Sequence, residues 1–314
     1  MGKRIIITGA NGFTGKYLLT ELNRYGFCVT GTWHISPPDN EDKIVWRQID
    51  LLMYDECEQL INTETPDAII HLAAQNSIIT AKGNPRQTIE NNVIGAVNIL
   101  EAVRASQRPI KCILAGSAAI YDAVKGDVLI TEEMPVRPRN LYAVTKVFQE
   151  QAAERFCADY GMNIVCTRPF NYSGRLQAET CFLPSLCRQI SEIADGRHDP
   201  VLTLGNLNVS RDFLDVRDVV SAYRLLLEDN VPGGIYNIAS EKSIKLIDIV
   251  NYLCRKAGKK IEICIDPSLV RKDDVTYICG DASKIRSVTG WRTNYSVFDT
   301  ADWIYEGMQG EKRW

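Results

Sequence analysis

The chain has 314 residues, about twice the length of a common domain, so one large domain or two interlocked ones is expected. Hydrophobic residues make up 45% and charged residues 24%, and 36 Lys and Arg against 39 Asp and Glu leave a net charge of −3, which excludes a general nucleic-acid binder or a polybasic membrane-surface protein but not a local basic pocket. No apolar run approaches the roughly 20 residues that span a bilayer, and the N-terminal segment turns polar and Gly-rich too early for a signal-peptide core.

In chain order, Arg4–Thr8 reads as a strand, 15–25 as a helix and 28–32 as a strand; 44–49 and 68–72 are further strands. Residues 89–106 carry Val93, Val97, Leu100 and Val103 at helical spacing. A strand at 112–114, a long helix at 141–160 and a strand at 163–167 follow. Nearly continuous apolar strands alternating with amphipathic stretches predict an α/β fold, a doubly wound parallel sheet covered on both faces. After Arg168 the pattern loosens. It leaves helices at 183–194, 216–227, 247–257 and 297–308, with strands at 235–239 and 261–265. With no linker or repeat, this part reads as a small lid interleaved with the first. The ten cysteines form no CxxC pair and lie in apolar runs, and there are only three histidines, His34, His71 and His198. Reduced, buried thiols in a cytoplasmic protein without a metal site are the expectation.

Gly9-Ala10-Asn11-Gly12-Phe13-Thr14-Gly15 follows the first strand and opens the first helix. Glycine serves where backbone turns tightly, approaches a pyrophosphate or packs helix on strand, and the helix N-terminus offers free N–H groups to the anion. A dinucleotide site is therefore predicted. The second strand ends Gly31-Thr32-Trp33-His34 with no carboxylate to hold an adenosine ribose, so Thr32 and His34 favour NADP(H) over NAD(H). Asp50 and Leu51, after the third strand, are placed for the adenine edge; Asp50 could equally be a helix cap.

Tyr142 and Lys146 are four apart at the start of a helical stretch, hence on one face. An ammonium near a phenol favours the phenolate, which suits proton exchange with a substrate oxygen. Ser117, just beyond the strand at 112–114, lies at the carboxyl edge of the sheet, where open α/β folds bind ligands.

The glycine loop, the strand-end serine and the Tyr142–Lys146 pair together resemble the extended short-chain dehydrogenase/reductase family, in its nucleotide-sugar branch. His71-Leu72-Ala73-Ala74, Asn92-Val93-Ile94-Gly95 and Arg168-Pro169-Phe170-Asn171 extend the resemblance over nearly the whole chain. It implies a Rossmann domain (1–168 plus 215–240), a smaller substrate domain (169–214 plus 241–314) and a homodimer packing two long helices per subunit. It also implies Ser117, Tyr142 and Lys146 as the catalytic set. Leu72, Ala73, Ala74, Asn92 and Arg168 join the cofactor site, and Gln75 the substrate site.

Within that family, 4,6-dehydratases carry an acid pair after the catalytic hydroxyl, whereas this chain has Ala118 and Ala119. Methyl groups transfer no protons, which leaves redox at one carbon. Arg211-Asp212-Phe213-Leu214-Asp215, Asn206-Leu207, Gln177, Arg271 and Asp274 look like the branch containing GDP-mannose 4,6-dehydratases and GDP-6-deoxy-D-mannose reductases, and most like the reductases. The resemblance implies Arg211 and Arg271 on a diphosphate, Asp274 on a ribose, Asn171 and Gln177 toward the sugar, and Asn206 by the base. It thus implies NAD(P)H-dependent reduction of a GDP-4-keto-6-deoxy-hexose. A 4-epimerase with tightly bound NAD, a dehydratase and a non-catalytic dinucleotide-binding module are the alternatives. The chain departs from the branch at Gly174-Arg175-Leu176-Gln177, at Leu141 and at Asp122.

Overall fold

A computed structural model describes residues 2–38, 44–76, 78–122, 126–270 and 275–310. Seven strands form one parallel sheet: β1 (Arg4–Thr8), β2 (Cys28–Trp33), β3 (Val45–Gln48), β4 (Ala68–His71), β5 (Lys111–Ala115), β6 (Ile164–Pro169) and β10 (Gly234–Ile238), in the order β10-β6-β5-β4-β1-β2-β3. The remaining strands are β7 (Asn171–Ser173), β8 (Val201–Leu204), β9 (Ser210–Asp215), β11 (Ser243–Lys245) and β12 (Glu262–Ile265). They build two small sheets, β11-β9-β7 and β12-β8. The doubly wound parallel sheet expected from the sequence is thus present.

The period of two along the strands sets the layers. Ile5, Ile7, Ile70 and Ile113 face one core with Leu18, Leu19 and Leu22 of α1 (Phe13–Arg24) and Val219, Tyr223 and Leu226 of α8 (Val216–Leu226). Ile6, Ile69, Cys112 and Leu114 face the other, against α2 (Tyr54–Glu64), α5 (Gly95–Ala105) and α6 (Leu141–Tyr160). Burial on both faces explains why these strands read as unbroken apolar runs. A third core joins α7 (Phe182–Ala194), β8, α9 (Leu246–Lys256) and α11 (Val297–Gly310) through Leu186, Ile190, Leu202, Ile249, Leu253 and Ile304. The strand order reverses between β1 and β4. Their carboxyl ends therefore open a crevice, where such sheets bind ligands.

The predicted helix at 89–106 is not one helix. Pro85–Ile89 (α4) follows the short Ile78–Gly83 (α3), and Glu90–Ile94 is a π turn before α5 begins. The wider turn directs Asn92 inward, where it is 1% exposed. Four strands (β7, β8, β9, β11) and the helices α2, α3, α4 and α10 (Ser283–Thr289) were not read from the sequence. No helix among the described residues is long and apolar enough to cross a membrane, and all ten cysteines are free thiols.

Candidate active site

The glycine loop crosses the crevice. Gly9 adopts φ +69, and a Cβ there would lie 2.9 Å from the Ala73 backbone, so side chains are excluded twice over. A Cβ on Gly15 would meet the Ala10 carbonyl oxygen at 2.3 Å, which is why helix α1 can start this close to β1. Gly12 caps α1 with no side-chain hydrogen bond, leaving the N–H groups of the first turn, at Phe13 and Thr14, to an anion. Asn11 anchors the loop by donating to the Ser36 carbonyl (3.0 Å), and Ala10 N–H donates to the Thr32 carbonyl (3.2 Å). A backbone cradle turned by glycines and a helix end with no side-chain cap fit a dinucleotide pyrophosphate.

The rim of this cradle differs in part from expectation. Thr32 is 2% exposed and its carbonyl accepts the Ala10 N–H, so it is corrected from ligand contact to support of the loop. His34 is exposed with Nε2 3.7 Å from the Asp50 carboxylate. The other Asp50 oxygen accepts the Leu52 N–H at 3.0 Å, so Asp50 also closes its own turn. Leu51 packs toward Gly95 of α5. Leu72 N–H continues the ladder to the Thr8 carbonyl, and Ala73 N–H donates to Thr8 Oγ1 (3.3 Å), which pairs with His71 Nδ1 at 2.8 Å; Ala74 lies partly open beyond them. Burial pushes His71 down from 6.5 to about 3, so it is neutral. Asn92 accepts the Gln75 N–H (2.7 Å) and donates to the Gln75 carbonyl (2.9 Å) and Thr145 Oγ1 (3.0 Å). It pins the β4 loop to α6 from behind. That corrects its expected place on the cofactor.

Asn140 starts α6 by accepting the Ala143 N–H at 2.9 Å, and Gly161, at φ +66, stops it. This fixes Tyr142 in the first turn at the crevice. Ser117 ends the segment after β5, caps a short 3-10 turn (Ala118–Ile120) by accepting the Ala119 N–H (3.2 Å), and hydrogen-bonds Tyr142. Lys146 Nζ donates to the Ala115 carbonyl (2.6 Å) and Gln149 Oε1 (3.0 Å), 6.0 Å from the Tyr142 ring centre. Burial raises the Tyr142 phenol to about 12 and lowers the Lys146 ammonium to about 8. The expected depression of the phenol by the lysine is therefore corrected: desolvation wins here, and Tyr142 holds its proton.

Arg168 has a different role from the predicted one. Its guanidinium forks onto Glu150 (2.9 and 2.7 Å) and donates to Tyr121 Oη (2.7 Å), all buried, and to the part-buried Glu132 carbonyl (3.0 Å). With four of its five N–H groups directed at protein acceptors, Arg168 is read as structural. Gln177 accepts from Ser173 Oγ (2.6 Å) and donates to the Tyr172 carbonyl (3.1 Å), which holds the amide in place beside β7. Asn171 is exposed and donates to the Asp212 carbonyl at 3.3 Å. Arg211 Nη1 donates to the Ser210 and Val275 carbonyls. Asn206 and Leu207 line a cleft of about 340 Å³ with Ile247, Ile263 and Val270. Arg271 and Asp274 lie outside the described residues.

The sequence pattern of the GDP-mannose 4,6 dehydratase family matches residues 6–302. The chain belongs to that family. It is 33% identical over 302 residues to GDP-6-deoxy-D-mannose reductase of Pseudomonas aeruginosa, covering 95% of this chain and 94% of that one. It is 25% identical to UDP-glucose 4-epimerase 4 of rice (Oryza sativa subsp. japonica), over 94% of this chain and 87% of that one. The solved structure of RMD from Pseudomonas aeruginosa complexed with NADPH is 28% identical, superposes with a TM-score of 0.86 and covers 98% of this chain and 99% of that one. The chain is accordingly an NAD(P)-dependent short-chain dehydrogenase/reductase of the nucleotide-sugar type.

Three features of this dehydratase-family chain were missed in the sequence. Buried Asp212 accepts Ser240 N–H (2.9 Å), Ser240 Oγ–H (2.5 Å) and Gly280 N–H (3.1 Å), tying β9 to the end of β10. Arg217, doubly bonded to Asp215 (2.8 Å each), lies between Tyr295 (3.7 Å) and Trp303 (4.0 Å). Tyr172 stacks on Phe13 (centroids 6.0 Å apart) and shares a 2.8 Å hydrogen bond with Thr14, joining β7 to the glycine loop. The run Arg211–Asp218 carried the first two signals. Their partners are too distant in sequence to have been paired.

Proposed function

We propose that the chain reduces the 4-keto group of a GDP-4-keto-6-deoxy-hexose, giving GDP-6-deoxy-D-mannose, with NADPH favoured over NADH. One observation carries this reading: the turn after Ser117 presents Ala118 and Ala119, so no side chain there can move a proton in a dehydration. The 33% identity to the Pseudomonas reductase supports it, as does the NADPH in the RMD complex. When bound, the dinucleotide supplies the hydride. Tyr142, protonated because burial raises its pKa to about 12, gives its proton to the sugar O4 as the carbonyl is reduced. Ser117 donates to the same oxygen, and Lys146 stabilises the nicotinamide ribose. The glycine loop and helix α1 hold the pyrophosphate. Residues 1–168 with 215–240 form the dinucleotide half of this proposal, and 169–214 with 241–314 the sugar half. The Asn206–Leu207 cleft takes the base.

The exposed Val144 and Phe148 of α6, beside Ile94 of the π turn, support a homodimer built on these helices. The second reading, a nucleotide-sugar 4-epimerase, is favoured by the similarity to the rice epimerase. The deciding experiment supplies freshly made GDP-4-keto-6-deoxymannose with NADPH or NADH, follows cofactor oxidation and identifies the product by NMR. No oxidation with either cofactor, or NAD retained through purification without net consumption, would rule out the reductase.

A further inference from the structure

We propose that Gln149 is a positioning residue for Lys146, holding its ammonium charged and aimed through an amide acceptor one helical turn away. The inference rests on the reading that Lys146 serves the cofactor ribose. An ammonium has three hydrogens. The Ala115 carbonyl takes one at 2.6 Å and Gln149 Oε1 a second at 3.0 Å, which fixes the direction of the third. The assignment of oxygen and nitrogen in this amide is dictated by chemistry, since the reversed amide would set an N–H₂ against an N–H₃⁺.

Gln149 is 2% exposed, yet among the described residues its Nε2 has no partner. A glutamine kept only to fill a helix face would be better replaced by leucine or methionine, which leave no buried donor unpaired. Its cost is offset only if the oxygen matters, and the oxygen's bond is to Lys146.

Among the described residues, four other ionisable groups bear on the ammonium. His71 on β4 is neutral. Cys166 on β6 is a thiol whose pKa burial raises. Glu150 on α6 is held by Arg168, and Tyr142 keeps its proton. Glu150 favours the ammonium through space, while the direct hydrogen-bond acceptors are the Ala115 carbonyl and Gln149 Oε1. Burial already pulls Lys146 from 10.5 down to about 8, and loss of either acceptor must pull it further.

The test measures NADPH and NADH affinity by fluorescence titration across pH, without sugar, on the full chain and on Gln149→Leu, Gln149→Glu and Lys146→Met. Affinity in the parent should fall as pH rises through the Lys146 titration, and this limb should vanish in Lys146→Met. Gln149→Leu should move the limb down by about one pH unit or more, and Gln149→Glu should move it up by a similar amount. If Gln149→Leu fails to fold, the direction of the Gln149→Glu shift decides. A limb that stays put in the folded Gln149 variants, or that persists in Lys146→Met, overturns the proposal. Because no sugar is present, this result is independent of the substrate. Shifted limbs with no turnover of GDP-4-keto-6-deoxymannose would sink the reductase reading alone.

Discussion

Replacing Glu150 by alanine separates a structural Arg168 from a ligand-binding one. The pair is buried, with side-chain exposures of 8% and 5%, and the carboxylate receives two of the four hydrogen bonds made by the guanidinium. Its removal leaves a buried cation with only Tyr121 Oη and the Glu132 carbonyl, a loss of about 3–5 kcal/mol. At a urea m-value of about 2 kcal/mol/M, the midpoint falls by roughly 1.5 M or more. Urea unfolding followed by tryptophan fluorescence measures this. The double variant Glu150→Leu/Arg168→Leu should recover much of the loss, because two apolar groups of similar volume leave no charge stranded. It should also bind NADPH within about 3-fold of the parent, whereas loss of a charged ligand contact would cost about 10-fold or more. A parent-like midpoint in Glu150→Ala, or a 10-fold loss of NADPH affinity in the double variant, would refute the reasoning.

Four further outcomes are expected. Tyr142→Phe should lower kcat by about 100-fold or more with little change in substrate affinity, as steady-state kinetics would show. His71 stays neutral in the fold down to about pH 3, while the unfolded chain binds a proton below about 6.5. Its contribution is therefore whole above that window and lost as pH falls through it, and His71→Asn should flatten the acid side of a stability-versus-pH curve measured by urea midpoints. Gly9→Val forces a branched residue to φ +69 against Ala73; it should cost about 1–3 kcal/mol in urea unfolding and weaken dinucleotide binding in fluorescence titration. Phe148→Asp should turn the proposed dimer into a monomer in analytical ultracentrifugation without loss of fold.

What the sequence revealed depended on the range of the interactions. Helix Leu141–Tyr160 was legible at both ends because its cap, Asn140, and its left-handed stop, Gly161, are local devices. The glycine loop was legible for the same reason, since its strand and helix neighbour it directly. The π turn at Glu90–Ile94 was not, because the apolar spacing of 89–106 continues across it while Asn92 answers to Gln75 and Thr145. Strands β7 and β9 pair across 42 residues, and β7 is only three residues long, so local alternation had too little to show. Arg168 was misread although Glu150 stands four residues after Lys146. Nothing in local spacing reveals that β6 lies against that turn of α6.

The arginines bear on how an acidic ligand is held by a chain of net charge −3. Arg168 is spent on Glu150, Arg217 on Asp215 and two aromatic faces, and Arg211 reaches the Ser210 and Val275 carbonyls. At the glycine loop the positive end comes instead from peptide N–H groups and the α1 dipole, which carry no titratable proton and need no side-chain ordering. Among the described residues at the crevice, the buried cation without a carboxylate partner is Lys146, whose charge is marginal because burial brings it to about 8. Pyrophosphate binding should therefore be nearly flat between pH 6 and 9, while the ribose contact weakens across the upper part of that range. The two are separable by comparing the pH dependence of ADP affinity with that of NADPH: parallel curves would show that Lys146 does not carry the difference.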